Sequence, residues 1–439
     1  MLEILTVKAF RSLFIAQITA LLGTGLLTVA LGLLAFDLAE DRAGLVLGTV
    51  FTVKMIAYVG LSPFMAAFAA RLPRRAFLVT LDLVRASVAL CLPFVDQIWQ
   101  VYLLVFILQT ASAGFTPAFQ ATIPDILPDE DQYTRALSLS RLAYDLENLA
   151  SPAIAALLLT VLPFNALFLG TMGGFIISAG LILTTRLPDR TARAAQSFAN
   201  RLTRGIWIYL ATPRLRGLLA LNMAAAATGA MVLVNTVVLV RGTLGLSESS
   251  VALAMAAFGA GSILAALALP RLLKHGSDRQ VMLGGATLTI FGLAGLAAGI
   301  VVAGLSWVLL LAIWGMVGFG YSATLTPSGR LLRRSSQPED RAAVFAAHFT
   351  LSHACWLLAY PFAGWLMTAL GAVAACLALS ALAALSGLCA ARMWPAADPV
   401  DLEHDHPDLP PDHPHLAGKS RHRHSFTIDD LHSRWPEQH

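Results

Sequence analysis

The sequence predicts an all-α integral membrane protein with twelve transmembrane helices in two pseudo-symmetric six-helix bundles. Three observations carry this: a composition too apolar for a water-soluble globule, apolar runs of bilayer-crossing length, and a proline–acid pattern that recurs 210 residues farther on. Hydrophobic residues make up 57% of the 439 and charged residues 13%, against about 25% charged in an ordinary soluble domain. A helical crossing takes ~20 apolar residues. Backbone polar groups in hydrocarbon must be satisfied within the segment, so such runs fold as helices.

Twelve runs qualify: 10–36, 44–69, 76–95, 98–120, 134–161, 165–186, 215–240, 248–269, 280–303, 305–328, 341–369 and 371–393. The first is too long for the apolar core of a cleavable signal peptide and lacks its small-residue exit, so it reads as a permanent helix. Connectors on one side hold Arg71, Arg74, Arg75, Arg135, Arg186, Arg190, Arg193, Arg201, Arg204, Arg214, Arg216, Arg271, Lys274, Arg279, Arg330, Arg333, Arg334 and Arg341, eighteen basic residues. Those on the other side hold only Arg42 and Arg241, beside several acids. The positive-inside rule places the basic side and both termini in the cytoplasm, in a cytoplasmic (inner) membrane. The four cysteines lie in apolar runs without a CxxC pair, which argues against disulfides and zinc ribbons. No basic run with interleaved aromatics suggests nucleic acid.

The long connector divides the chain into an N-terminal bundle (1–187), a basic linker (188–214), a C-terminal bundle (215–395) and a tail (396–439). Phe198, Leu202, Ile206 and Tyr209 recur at helical spacing in the linker, which predicts an amphipathic helix on the inner leaflet. Thr116-Pro117 leads to Pro128-Asp129-Glu130-Asp131, and Thr326-Pro327 leads to Pro338-Glu339-Asp340-Arg341, each pair offset by 210. A duplicated six-helix unit of this kind is how many secondary transporters are built, with solute held at mid-membrane between the halves.

Between the second and third runs stands Ala66-Ala67-Phe68-Ala69-Ala70-Arg71-Leu72-Pro73-Arg74-Arg75. It resembles the G-x-x-x-D-R-x-G-R-R loop of the major facilitator superfamily, keeping three arginines and replacing both glycines and the acid. Leu81-Asp82-Leu83-Val84-Arg85-Ala86 and Phe115-Thr116-Pro117-Ala118-Phe119-Gln120-Ala121-Thr122-Ile123-Pro124 are similar to its exporter branch related to macrolide and siderophore efflux proteins. With the His-bearing tail, the pattern resembles the nickel-resistance exporters. The resemblance implies a proton-coupled efflux transporter working as a monomer, with a divalent metal ion (nickel, then cobalt) as the favoured solute. Export of a drug-like or siderophore-like organic molecule is the alternative, and a membrane-bound sensor a more distant one.

Ionisable side chains inside spans cost ~2.5–3.5 kcal/mol or more, so each needs a partner or a purpose. The first half carries Lys54, Asp82, Arg85, Arg141, Asp145 and Glu147; the second carries His348 and His353. Arg141 and Asp145 stand four apart and can pair, with Asn148 continuing their face and Glu147 turned about 200° from Asp145. Asp145 or Glu147 is the candidate proton carrier, and the alternative is a purely structural Arg141–Asp145 pair with Lys54 holding Glu147. Asp82 and Arg85 are expected to tether the Arg71, Arg74, Arg75 loop. His348 and His353 diverge by about 140°, so only one can join a shared site. With Cys355, Asn222 and Asn235 they offer imidazole and soft donors suited to nickel, cobalt, copper or zinc.

No metalloprotease, nucleophile-elbow or phosphate-loop motif is present, so no enzyme and no cofactor are expected. Eight of the eleven histidines lie after Pro395. His404, His406, His413, His415, His422 and His424 form three His-x-His pairs that can bind metal loosely and pH-dependently. Low hydrophobicity and many prolines predict disorder to about Ser420, and Thr427-Ile428-Asp429-Asp430 predicts a short helix over Ile428–Trp435.

Overall fold

The protein is described from a computed structural model. It describes residues 2–61, 65, 72–120, 122–127, 132, 136, 139–140, 143, 150–185, 187, 198–337, 340–398, 401–405, 421–432 and 434–436. The N-terminal half contains α1 (Lys8–Ala39), α2 (Ala43–Ile56, continued by a π-helical turn Ala57–Leu61), α3 (Arg74–Cys91), α4 (Ile98–Gln120) and α5 (Ala166–Thr184). The predicted fifth span is described only in part, as helix over 150–158. A linker helix α6 (Phe198–Ala211) leads to α7 (Pro213–Val237), α8 (Glu248–His275), α9 (Asp278–Ala303), α10 (Trp307–Leu325) and α11 (Arg341–Met393).

Ten helical stretches are long and apolar enough to cross a bilayer among the described residues. The last of these, 53 residues, is too long for one crossing at ~1.5 Å per residue. It breaks at Gly371, where φ is 79°, a conformation that needs a residue without a Cβ. Two spans therefore replace one, and with the partly described fifth span the count reaches the twelve of the predicted fold.

Because hydrocarbon offers helices no hydrophobic drive to associate, close packing and interhelical hydrogen bonds hold them. In the first half the Thr171 hydroxyl on α5 donates to the Gly23 carbonyl of α1 at 2.8 Å. In the second, Trp314 Nε1 of α10 donates to Thr236 Oγ1 of α7 at 2.8 Å. The two halves are sealed together at the far end, where α1 gives way to α2 and the start of α2 lies against α11. A Cβ on Gly48 would stand 2.7 Å from the Tyr360 carbonyl oxygen, and one on Gly364 would overlap the Gly44 carbonyl.

In the linker, α6 packs on the start of α11, so closely that a Cβ on Gly205 would overlap the Ala343 carbonyl. Ile208 and Tyr209 are fully buried, while Trp207 and Leu210 stay exposed. Arg204 joins Asp340 at the head of α11 (Nη2–Oδ2 2.8 Å) to Asp430 of the tail (2.8 Å). Hydrogen bonds to Asp340 and then Asp430 hold its guanidinium well above the ordinary arginine pKa.

The tail differs more. Disorder was expected to about Ser420, yet strand β1 (Asp401–Asp405) forms there and pairs antiparallel with β2 (Arg421–Ser425), with His404 opposite His422. Where a short helix was expected over Ile428–Trp435, residues 429–431 form bends and no helix is present among the described residues. Phe426 and Ile428 bury their side chains, and His432 packs edge-on to Phe426, centroids 4.7 Å apart. The reason is electrostatic as well as apolar. Arg214, 2% exposed, donates to Asp398 (3.1 Å) and Ser335 (2.7 Å), with its guanidinium 5.0 Å from the Trp435 ring.

Candidate functional site

Along the α2–α11 seam, from the sealed end toward mid-span, Phe51 and Tyr58 of α2 meet rings of α11 across the two halves. Phe51 of α2 meets Tyr360 of α11 with ring centroids 4.8 Å apart. Tyr360 continues to Trp356 (4.9 Å), then to Tyr321 of α10 (6.2 Å) and Phe258 of α8 (5.5 Å). Two turns farther along α2, Tyr58 lies nearly parallel to His353, centroids 5.8 Å apart and planes 4° apart. Phe349, one turn before His353, closes on the imidazole at 3.9 Å. The Lys54 ammonium sits 5.9 Å from the Tyr58 ring.

The local sequence explains this placement. Lys54 and Tyr58 are four residues apart, as are Phe349 and His353, so each pair shares a helix face. Tyr58 falls in the π-helical turn of α2, the kind of register shift that is frequent at functional sites. His353 Nδ1 is engaged with the Phe349 carbonyl at 2.7 Å. Tyr58 and His353 are half-buried, Phe51 and Tyr360 buried and Phe349 exposed, all flat and polarisable, with one imidazole and one ammonium among them. Such a wall suits apolar or aromatic solutes that carry a few polar groups.

The same family model, that of the Major Facilitator Superfamily, matches residues 13–235 and again residues 218–427. The chain belongs to the Major Facilitator Superfamily. Members of that superfamily are multi-pass membrane transporters of small solutes, not enzymes. The two matches overlap over residues 218–235, within α7. Macrolide efflux protein A of Streptococcus pyogenes is 25% identical over 206 residues, which are 45% of this chain and 50% of that protein. The protein of the same name from Enterococcus faecalis is 27% identical over 159 residues, 34% of this chain and 49% of that protein. The chain thus spans about half the length of the curated relatives it matches. Among solved structures, a nucleoside transporter aligns with a TM-score of 0.70 at 14% identity, covering 88% of this chain and 100% of that one. A bacterial homologue of the human lysosomal transporter Spinster, captured inward-facing and unoccupied, gives 0.69 at 14%, covering 89% and 98%. At such identities these structures speak for the fold alone.

Within this superfamily fold, the candidate metal donors do not converge. His348 Nδ1 faces the Tyr209 hydroxyl of α6 at 3.1 Å, rings stacked at 5.9 Å. The Cys355 thiol points back to the Leu351 carbonyl at 3.4 Å. Asn222 Nδ2 donates to its own helix at Leu218 O, 2.8 Å. Asn235, fully buried, donates across to Ala363 O at 3.1 Å. Among the described residues no group of three or more His, Cys, Asp or Glu side chains is placed to hold a metal ion.

Asp82 and Arg85 also part from expectation. They pair with each other inside the first bundle, and the Ser178 hydroxyl of α5 donates to the second Asp82 oxygen at 2.7 Å. The Arg85 guanidinium lies between Phe115 (4.0 Å) and Phe175 (4.5 Å). A carboxylate and guanidinium at 0% and 6% exposure gain more from each other and from two ring faces than from a loop in water. Arg74 and Arg75 open α3 behind Pro73. Arg71, Arg141, Asp145, Glu147, Asn148, His406, His413 and His415 lie outside the described residues. His404, His422 and His424 are described in their backbone alone.

Sequence reasoning passed over Tyr58, Phe349, Trp356 and Tyr360, because lone aromatics in a span read as packing. The available signal was helical spacing: Tyr58 stands four residues from Lys54, and Phe349, Trp356 and Tyr360 stand four, three and seven from His353. It also passed over Arg214, counted only as a topology marker, though its place at the head of a span put it within reach of the tail.

Proposed function

We propose that the chain exports a small organic solute with flat apolar surface, by alternating access coupled to protons. The supporting observation is the ring-lined seam in which Tyr58 of one half stacks on His353 of the other. Substrate held there touches both halves, so their relative movement acts on it directly. Its likeness to macrolide efflux proteins agrees with this class of solute, though at half their length. The seam is sealed at the end away from the termini, so solute enters from the terminus-bearing end. The excess of basic connectors at that end makes it cytoplasmic, and the direction outward. Asp145 or Glu147 supplies the proton site.

A second reading, export of nickel or cobalt, rests on a different observation. In the tail ribbon, positions 404 and 422 stand directly opposite and 424 is diagonal to 404. Side chains alternate along a strand, so these three histidine positions share one face. In this reading the tail gathers cytoplasmic metal near the entrance, raising its local concentration.

Growth of an efflux-deficient host on graded erythromycin, ethidium, nickel and cobalt separates the two. Expression is expected to raise tolerance of the organic compounds. Protection against metal alone would replace the first reading with the second. Unchanged accumulation of all four solutes would remove both.

A further inference from the structure

The sealed end of the seam contains one polar atom whose needs are not met. Asn235 of α7 is fully buried. Its Nδ2 donates to Ala363 O at 3.1 Å and faces Met231 Sδ at 3.3 Å. This fixes which end of the amide is which, since the reverse orientation would set two carbonyl oxygens against each other. Its Oδ1 then has no hydrogen-bond partner among the described residues. What it meets is the other half of the protein: a Cβ on Gly44 of α2 would stand 2.6 Å from Oδ1.

The two ends of this side chain therefore answer to different movements. Asn235 and Ala363 belong to the same half, so their hydrogen bond persists when the halves rock. The contact of Oδ1 with Gly44 crosses between the halves and exists only while the far end is closed. A buried acceptor with no donor carries its desolvation penalty in full, and such exceptions in a native structure call for a reason. When α2 swings away, water or passing solute can reach Oδ1 and the penalty disappears.

We propose that Asn235 is a destabilising pin in the far-end gate: its unpaired Oδ1 weakens the closed state so that the gate reopens. Gly44 makes the closure possible at all, because any side chain there would collide with that oxygen. The gate is thus held by close backbone packing at Gly48 and Gly364 and loosened by one atom of Asn235. This rests on alternating access of the two halves, as in the function proposed above, but not on the identity of the solute.

The test reads gate opening directly and not transport. Spin labels at Gln97→Cys and Ala303→Cys, exposed far-end positions on opposite halves, report the separation in the full-length protein in nanodiscs. Cys91 and Cys389 are replaced by serine. Asn235→Leu, which removes the unpaired oxygen at similar volume, is expected to lower the open-to-closed ratio on the order of tenfold. Gly44→Ala is expected to raise it. In an Asn235→Ala background, where Oδ1 is gone, Gly44→Ala is expected to lose most of its effect. An unchanged or raised open fraction in Asn235→Leu, with Gly44→Ala still opening the gate, overturns the role of Asn235 and leaves alternating access standing. A single unvarying separation in wild type and in Gly44→Ala removes alternating access itself, and the proposal with it.

Discussion

Arg214 at the head of α7 and Asp398 in the tail form an ion pair at 3.1 Å, with the arginine side chain 2% exposed and the aspartate 14%. The same carboxylate accepts from Trp394 Nε1 at 3.0 Å and pairs with Arg334 at 3.4 Å. Asp398 therefore ties the start of the tail to the C-terminal bundle.

Removing that carboxylate leaves a buried guanidinium uncompensated, which costs about 3–5 kcal/mol. Asp398→Ala, and equally truncation after Trp394, is expected to lower the thermal midpoint in detergent and the yield of monodisperse protein. Replacing residues 406–420 by a two-residue turn is expected to leave the midpoint within a degree or so, because β1 and β2 already pair on either side. Size-exclusion chromatography of heated samples distinguishes the three. Equal loss in all of them would show that the loop, and not Asp398, secures the tail.

Asp82 and Arg85 give the opposite sign for single and double changes. Asp82→Asn strands a guanidinium that the structure buries between two phenylalanines, and a loss of several kcal/mol is expected. Replacing both by leucine removes the charges together and is expected to recover most of the stability. The thermal midpoints of the two singles and the double form a cycle. A double variant no better than the singles would mean that the pair acts through something other than mutual neutralisation.

How much of this was legible in the sequence follows from what each signal depends on. Spans, their number and the duplication depend on local hydropathy and on spacing, which one strand of text carries. The partners of Asp82, Arg85 and Arg214 depend on which helices are neighbours, which it does not. Asp82 was expected to reach a loop ten residues away, yet its second partner is Ser178 of α5. The tail misled because Pro, Asp and His signal disorder by average composition. Within that stretch Asp398 docks on the buried Arg214, and beyond it the Phe426 carbonyl and the Trp435 ring meet the same guanidinium. His353 was picked out for its ring nitrogen, whereas its clearest relationship is with the flat face of Tyr58.

Gly205 tests the linker. A methyl group there would overlap the Ala343 carbonyl, so α6 must move off α11 and carry Tyr209 away from His348. Gly205→Val is expected to destabilise the protein by several kcal/mol, in the range of overpacked interiors. Tyr209→Phe, which removes only the hydroxyl facing His348 at 3.1 Å, is expected to cost about 1 kcal/mol. Limited proteolysis at the Arg residues of the linker reads both, with faster cleavage in Gly205→Val. Equal protection in wild type and Gly205→Val would show that α6 does not need its seat on α11.

Tyr58 and His353 test the seam itself. An aromatic pair is worth about 0.5–1.5 kcal/mol beyond its buried area, or roughly 2- to 12-fold in an equilibrium constant. Tyr58→Phe keeps the ring and is expected to export ethidium nearly as wild type does. Tyr58→Ala opens the wall, and export half-saturation is expected to rise about five- to tenfold. His353→Phe separates stacking from chemistry: retained export would assign the imidazole to the wall alone. Lost export with Tyr58→Phe intact would assign it a polar or proton-handling role. Should Tyr58→Ala and His353→Ala both export as wild type does while their protein levels match, solute does not pass along this seam. The ring wall would then be packing between the halves, and the binding surface would have to be sought on the fifth span, where Asp145 and Glu147 stand.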